Sequence, residues 1–520
     1  MSKKVKLICL VLSIALLMGV AAVGCGKTEE SKTEGKTEQQ TTAAVEKTTS
    51  VQLEPVKLKM YMVIFDQQKG APEVFEELNK ILKNDLNATV EIEYIAFADR
   101  NTKLPLVLAS GEQCDIVPNY GYFNEAAKGA YVDITDMLGS VTPALKAKYT
   151  PLEWRAVTVN GRIYAVPSSC ATPNERLIAV RGDIMKKAGM KSVKTLEDIE
   201  QYLQYVKDNE KELVPFDGML NDFRFFTENY VVAAHGFDSI SKDAYGVGGY
   251  YNLKDADDTK IYSRDEIWDT IVLPFWKKLY EMQQKGLWPK GVLQNKTQAM
   301  TLMVEGKTAF AMHKIEGVND IYKMTLKSNP EWDVQLFPYY DFKYSRALFQ
   351  VNGLAIGNNS KNPERALMFI EKLMTDIKYH DLTVFGIEGK HYTVRSDGKY
   401  LPVADSGFEY RQLGSWMWDD LRSMTQLGDN HPILAEFLEQ HKKIASKSPY
   451  CALPLDQTQV KNEVAAVDNV NATYGQPLLA GLVNPEKIIA EYRQKLKEAG
   501  IEKLEAAYKE QAEAYLKSLK

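Results

Sequence analysis

"VKLKMYMVIFDQQKGAPEVFEELNKILKNDLNATVEIEYIAFADRNTKLPLVLASGEQCDIVPN", residues 56–119, decides the fold. Its opening, VKLKMYMVIF, alternates briefly and then turns continuously apolar, as a buried strand does. APEVFEELNKILKNDL has helical spacing, with Pro72 near its start. TVEIEYIAF predicts a second strand, RNTKLPLVLASGE a helix ending at Gly111, and CDIVPN a third short strand. The order β-α-β-α-β with short connections predicts a parallel sheet in an α/β protein. Ligands of open α/β sheets sit beyond the carboxyl ends of the strands. That points to the loops beginning at Phe65-Asp66, at Phe97 and at Asn119-Tyr120. Asp66, Gln67 and Gln68 supply planar donors and acceptors suited to pairs of hydroxyls.

Upstream, Lys3, Lys4 and Lys6 precede the apolar run LICLVLSIALLMGV and then Ala22-Val23-Gly24-Cys25. Gly26-Lys27-Thr28 invites a phosphate-loop reading, but that motif needs glycine at position 21, where the chain has Ala21. The loop would also have to join a strand to a helix, and here it opens a charged tract. Residues 26 to about 50 are rich in Thr, Glu and Lys and carry no aromatic residue. They cannot bury enough apolar surface to order themselves, which predicts a flexible tether.

The chain has 520 residues, a formal charge of −5 and 45% hydrophobic residues. Loss of a leader with three lysines leaves a mature protein three charges more negative still, which argues against nucleic acid or anionic lipid as partners. Cys114, Cys170 and Cys451 are scattered, with no C-x-x-C pair, so neither a disulfide framework nor a zinc site can be read from them. They read as buried small apolar residues. After residue 24 no apolar run approaches the length of about 20 residues that spans a bilayer.

Several segments carry a family resemblance. Ala22-Val23-Gly24-Cys25 resembles the lipobox of bacterial lipoproteins, with Ala22 in place of the usual leucine. LVLASGEQCDIVPN, NGRIYAVPSS from Asn160, MVEGKTAFAMHKIEG from Met303 and VNGLAIGNNSKNPERALMFIEKLM from Val351 resemble the extracellular solute-binding proteins of bacterial ABC importers. VFGIEGKHY from Val384 and the stretch from NEVAAVDNVNATY to EAYLKS resemble the LipO-like branch, with its Firmicutes-type C-terminal domain.

The resemblance implies a type II periplasmic-binding-protein-like fold: two α/β lobes joined by crossings, with the ligand cleft between them. The implied organisation is a signal peptide over 1–24 and a tether over 25–52. Lobe one takes 53–168 plus 350–410, and lobe two takes 173–345 plus 411–520 with the C-terminal helices. The crossings are expected near Ser168 to Thr172, near Arg346 to Asn352, and before Arg411. Cys25 is the implied lipid attachment, carrying a palmitate-type anchor on the outer face of the cell membrane.

Motifs for catalysis are missing. The six histidines form no H-E-x-x-H pair, and there is no G-x-S-x-G elbow. No metal and no cofactor is implied. Aromatics are more informative, because sugar faces stack on flat rings. Trp268, Trp276, Trp288 and Trp332 read as packing, and Trp154 as a linker residue that either packs or meets ligand. In GSWMWDD, Trp416 and Trp418 alternate, so an extended segment turns both to one side. They are either a stacking platform on the second lobe or core beneath the C-terminal helices. His313 and Glu316 are expected in a loop after the strand KTAFAM, where Glu316 can accept hydrogen bonds from sugar hydroxyls; the bland alternative is a solvated loop. Glu388 and His391 read as structural.

The candidate ligand residues are thus Phe65, Asp66, Gln67, Asn119, Tyr120, His313, Glu316, Trp416 and Trp418. The implied function is a monomeric, lipid-anchored binding subunit, not an enzyme, that delivers a solute, an oligosaccharide first, to ABC permease subunits. A surface glycoside hydrolase, a glycan adhesin or sensor without transport, and a peptide or other small solute as ligand stay open as alternatives.

Overall fold

The strand VKLKMYMVI, β1 (Val56–Ile64), is buried almost throughout because it lies inside a sheet. The computed structural model describes residues 53–64, 67–168, 175–345, 353–410, 413–419, 421–444 and 448–519. Helix α1 (Ala71–Leu86) buries Val74, Leu78 and Leu82, one residue per turn, and ends at Asn87 in the left-handed region. β2 (Ala88–Ala96) then pairs parallel to β1 along its whole length. Asn79 on α1 accepts from the Val90 N–H at 2.6 Å and donates to its carbonyl at 3.1 Å, so one exposed rung of this edge strand is satisfied by a side chain.

Helix α2 (Arg100–Ala109) leads to β3 (Val117–Pro118), which approaches β1 through a parallel bridge, Met60 to Ile116. The parallel order read from the sequence therefore holds for the first three strands. Beyond them the sheet is mixed. β8 (Leu354–Ala355) returns antiparallel to β3 and to β4 (Ala165–Val166). Buried residues from 58 to 166 and from 354 to 418 form the clusters on the two faces of this sheet.

A second core surrounds β5 (Arg176–Val180), flanked by β6 (Phe310–Lys314) and β7 (Gln335–Pro338), both antiparallel to it. Trp268, Trp276 and Trp288 lie in this core. Helices α8 (Pro485–Glu498) and α9 (Ile501–Ser518) add Tyr492, Leu496, Leu504 and Tyr508 to it. Cys114 and Cys451 are buried, and burial pushes the Cys114 thiol up to about 12; Cys170 lies outside the described residues. No described helix is long and apolar enough to cross a membrane.

The third crossing differs from expectation. Leu413, Met417 and Trp418 pack in the first core, and Leu427 packs with Val384 and Phe385 beside it. Leu434, Phe437 and Leu438 of α7 (Ile433–Ile444) belong to the second core. The chain therefore changes core between Leu427 and Leu434, after Arg411 and not before it. The cause is tertiary. Asn319, on α4 (Ile315–Ser328), accepts from the His431 N–H at 2.9 Å and donates to Asn430 at 2.7 Å, fixing the passage there. The other two expected crossings lie outside the described residues, apart from Ser168, which is buried.

Candidate functional site

The carboxyl ends of β1, β2 and β3 converge, and three loops leave from them. After β2 a short 3₁₀ turn (Phe97–Asp99) presents Phe97 and runs directly into α2 at Arg100. The Arg100 guanidinium lies 3.8 Å from the centre of the Phe97 ring, and its Nη1 donates to the Phe97 carbonyl at 2.5 Å. After β3 comes Asn119, which is 2% exposed. It exchanges two hydrogen bonds with Gly353, donating from its backbone at 3.1 Å and accepting on Oδ1 at 2.7 Å. Its Nδ2 is buried without a partner among the described residues.

Tyr120 follows, its ring 5.4 Å from the Arg100 guanidinium carbon. Its hydroxyl accepts from Trp416 Nε1 at 3.2 Å. Burial raises its pKa, only partly countered by the Trp416 hydrogen bond and the charge of Arg100. Trp416 also meets Phe97 edge to face at 6.4 Å. Phe97, Tyr120 and Trp416 thus form an aromatic ledge with Arg100 set into it.

Trp416 and Trp418 do not share a side, which corrects the extended reading. Ser415–Met417 is a 3₁₀ turn entered through Gly414 at φ 72°. A Cβ on Gly414 would stand 2.4 Å from the Val63 carbonyl oxygen, so glycine lets the turn press against β1. The turn leaves Trp416 half-buried on the ledge and sends Trp418 into the first core, where Nε1 donates to Thr383 Oγ1 at 2.9 Å. Trp418, 2% exposed, is no platform, and neither residue belongs to the second lobe.

Phe65 and Asp66 lie outside the described residues. Gln67 is exposed, and no hydrogen bond or ring contact joins it to the ledge among the described residues. His313 and Glu316 are not in a loop: His313 lies within β6, and Glu316 sits half-buried in the first turn of α4. The His313 ring lies against the bare backbone of Gly317, whose Cβ would stand 2.0 Å from Nδ1. Burial, then the charges of Arg176 and Lys314, push its pKa down to about 3. Its imidazole is therefore neutral, and its Nδ1 is buried without a partner among the described residues. Trp154 packs edge to face on Tyr149 and donates to the Lys146 carbonyl at 3.0 Å. His391 is structural: its Nδ1 accepts from the Ile387 N–H, leaving Nε2 to donate to Glu73 at 2.9 Å.

Two arginines went unread in the sequence. Arg100 is one. The other, Arg176, begins β5 opposite Lys314, its guanidinium 3.9 Å from the Phe225 ring. The available signal is positional: an arginine within a few residues of a strand end or a crossing, with an aromatic close by. One buried trio resembles hydrolase machinery. Ser345 hydrogen-bonds Glu175 and lies 2.8 Å from His441 Nδ1. Glu175 reaches that same nitrogen at 3.4 Å. A relay needs the hydroxyl and carboxylate on opposite ring nitrogens. Here one nitrogen faces both, and all three residues are buried. The trio ties the start of β5 and residue 345 to α7.

The chain belongs to the bacterial extracellular solute-binding proteins: that family's profile matches residues 73–382, and a domain of unknown function matches 453–517. A carbohydrate ABC transporter substrate-binding protein of Streptococcus pneumoniae is 27% identical over 471 residues, 89% of this chain and 91% of its own length. The polygalacturonan/rhamnogalacturonan-binding protein YtcQ of Bacillus subtilis is 22% identical over 463 residues, 85% of this chain and 86% of that one. The crystal structure of the N-glycan transport solute binding protein of Streptococcus pneumoniae superposes with a TM-score of 0.73 at 24% identity, covering 90% of this chain and 100% of the other. The two-lobe solute-binding fold expected from the sequence is therefore the fold of this chain.

Proposed function

We propose that the chain is the substrate-binding subunit of a carbohydrate ABC importer and that it captures an oligosaccharide between its lobes. The observation that carries this is the ledge of Phe97, Tyr120 and Trp416 beyond the carboxyl ends of the strands. Flat rings stack on the apolar faces of sugars, and Tyr120 and Asn119 supply polar groups that fix orientation. Relatives matched over most of their length, one named for carbohydrate transport and one for polygalacturonan and rhamnogalacturonan binding, support the same class of solute.

Capture is a population shift. The ligand can close the lobes only by as much as it binds the closed form better than the open one. The closed form then docks on permease subunits in the membrane, and the binding subunit works as a monomer. Calorimetric titration of the 53–520 unit with oligosaccharides, paired with small-angle scattering, tests the reading. Expected are saturable binding, a smaller radius of gyration on binding, and a loss of about 2 kcal/mol, roughly thirtyfold in Kd, for Trp416→Ala in a variant that still folds. Confirmed binding with an unchanged radius sinks the closure step. Full affinity in Trp416→Ala sinks the ledge.

The anchor at Cys25 belongs to the same proposal. Cys25 lies outside the described residues, and the support for acylation is its place after a basic, apolar leader. Several acyl chains hold a protein firmly, each buried CH₂ contributing about 0.8 kcal/mol. Cys25→Ser is expected to release the protein into the medium or leave an unprocessed precursor. Mass spectrometry that finds an unmodified mature N-terminus at another residue overturns it.

A further inference from the structure

Arg100 has no carboxylate within ion-pair distance among the described residues. The acid beside it, Asp99, is engaged by Lys103 at 2.9 Å. The guanidinium sits over the Phe97 ring and spends Nη1 on a carbonyl, while its Nε is buried with no partner among the described residues. Asn119, the residue before Tyr120, has its Nδ2 in the same condition and is 2% exposed. Half-burying a cation without a counter-charge is costly, and stacking on a ring offsets only part of that cost.

Both orphaned atoms can only donate. A sugar hydroxyl donates as well as accepts, but an ionised carboxylate only accepts, and its two oxygens match the fork of a guanidinium. We infer that the captured oligosaccharide carries a carboxylate, as a uronic or other acidic sugar does, and that Arg100 reads it; this rests on the oligosaccharide-capture reading above. Arg100 sets specificity, Asn119 adds a donor, and the ledge stacks the ring that bears the acid. The preset plane of the guanidinium makes lysine a poor substitute, because an ammonium is a point charge without the fork.

The test is calorimetric titration with matched pairs: trigalacturonate and its carboxyl-reduced trisaccharide, trimannuronate and mannotriose, and sialyllactose and its carboxyl-reduced form. The wild-type chain is expected to prefer at least one acid over its neutral partner by about thirtyfold or more. Arg100→Lys is expected to remove that preference, weakening the acid far more than its neutral partner. Lys83→Gln, which takes a charge from the exposed end of α1 and leaves Asp99 engaged, is expected to keep the preference. Should the wild-type chain bind a neutral sugar as tightly as its acid, the inference is overturned and the capture reading stands. An equal loss in Lys83→Gln overturns it too, because bulk charge then accounts for the preference. If no saccharide of the panel binds, both readings fall. Should Arg100→Lys not fold, the wild-type comparison of acid with neutral sugar still decides.

Discussion

Trp418→Ala is expected to destabilise the 53–520 unit by about 3–5 kcal/mol, the usual cost of deleting a large buried aromatic side chain. Trp418 is 2% exposed and packs in the core beneath the first sheet. Its indole N–H donates to Thr383 Oγ1, whose own hydrogen is spent on the carbonyls of Tyr379 and His380. The substitution therefore opens a cavity against α6 (Ile377–Phe385) and removes the donor to a buried hydroxyl. Globular domains hold together by only about 5–15 kcal/mol, so a loss of this size is a large share of the total. Trp418→Phe should cost much less, since most of the volume stays. Thermal melting of both variants is the measurement. An Ala variant that melts like wild type but no longer binds sugar would return Trp418 to the cleft.

The contrast between Trp416 and Trp418 shows where sequence reasoning stops. A two-residue spacing carries a facing rule only if the backbone is extended. Nothing local in GSWMWDD announces a 3₁₀ turn; its cause is the approach of Gly414 to Val63, some 350 residues away in sequence. By contrast β1, α1 and β2 were legible because their signals are local: continuous burial, one apolar residue per helical turn, and short connections. The position of the candidate site was legible for the same reason, since it follows from strand direction. Its contents were less so. Tyr120 and Asn119 sit where the strand ends put them, but Arg100 gains meaning only once Phe97, Tyr120 and Trp416 surround it. His313 was misjudged because KTAFAM looks like a finished strand. Pairing with β5 carries the strand on through His313 to Lys314. The passage near Asn430 was misplaced because a single asparagine side chain on a distant helix fixes it.

Gly353→Ala is expected to impair fold and binding together, for one geometric reason. A Cβ at Gly353 would stand 1.9 Å from the Val166 carbonyl oxygen and 2.9 Å from both the Pro167 carbonyl carbon and the Ser168 nitrogen. These are backbone atoms, which cannot swing aside as a side chain does. They belong to the chain leaving the first lobe, while Gly353 is the described residue at which the chain re-enters it. Separating them strains the pairing of Leu354 with Val166 on one side and with Pro118 on the other. Overpacking of this kind costs about 1–3 kcal/mol, and a backbone clash belongs at the upper end. The same shift pulls on Asn119, whose backbone N–H and side-chain oxygen both bond Gly353, and so displaces Asn119 Nδ2 and Tyr120 from their places beside the ledge. A loss of about tenfold in sugar affinity corresponds to only about 1.4 kcal/mol, less than the strain imposed. Gly291→Ala is the control, since nothing lies within 4 Å of a Cβ there. Calorimetry and thermal melting of both variants separate the effects. Wild-type melting and affinity in Gly353→Ala would mean that the two strands leading to the crossings yield to each other freely, and that the ledge is held in place by something other than their contact.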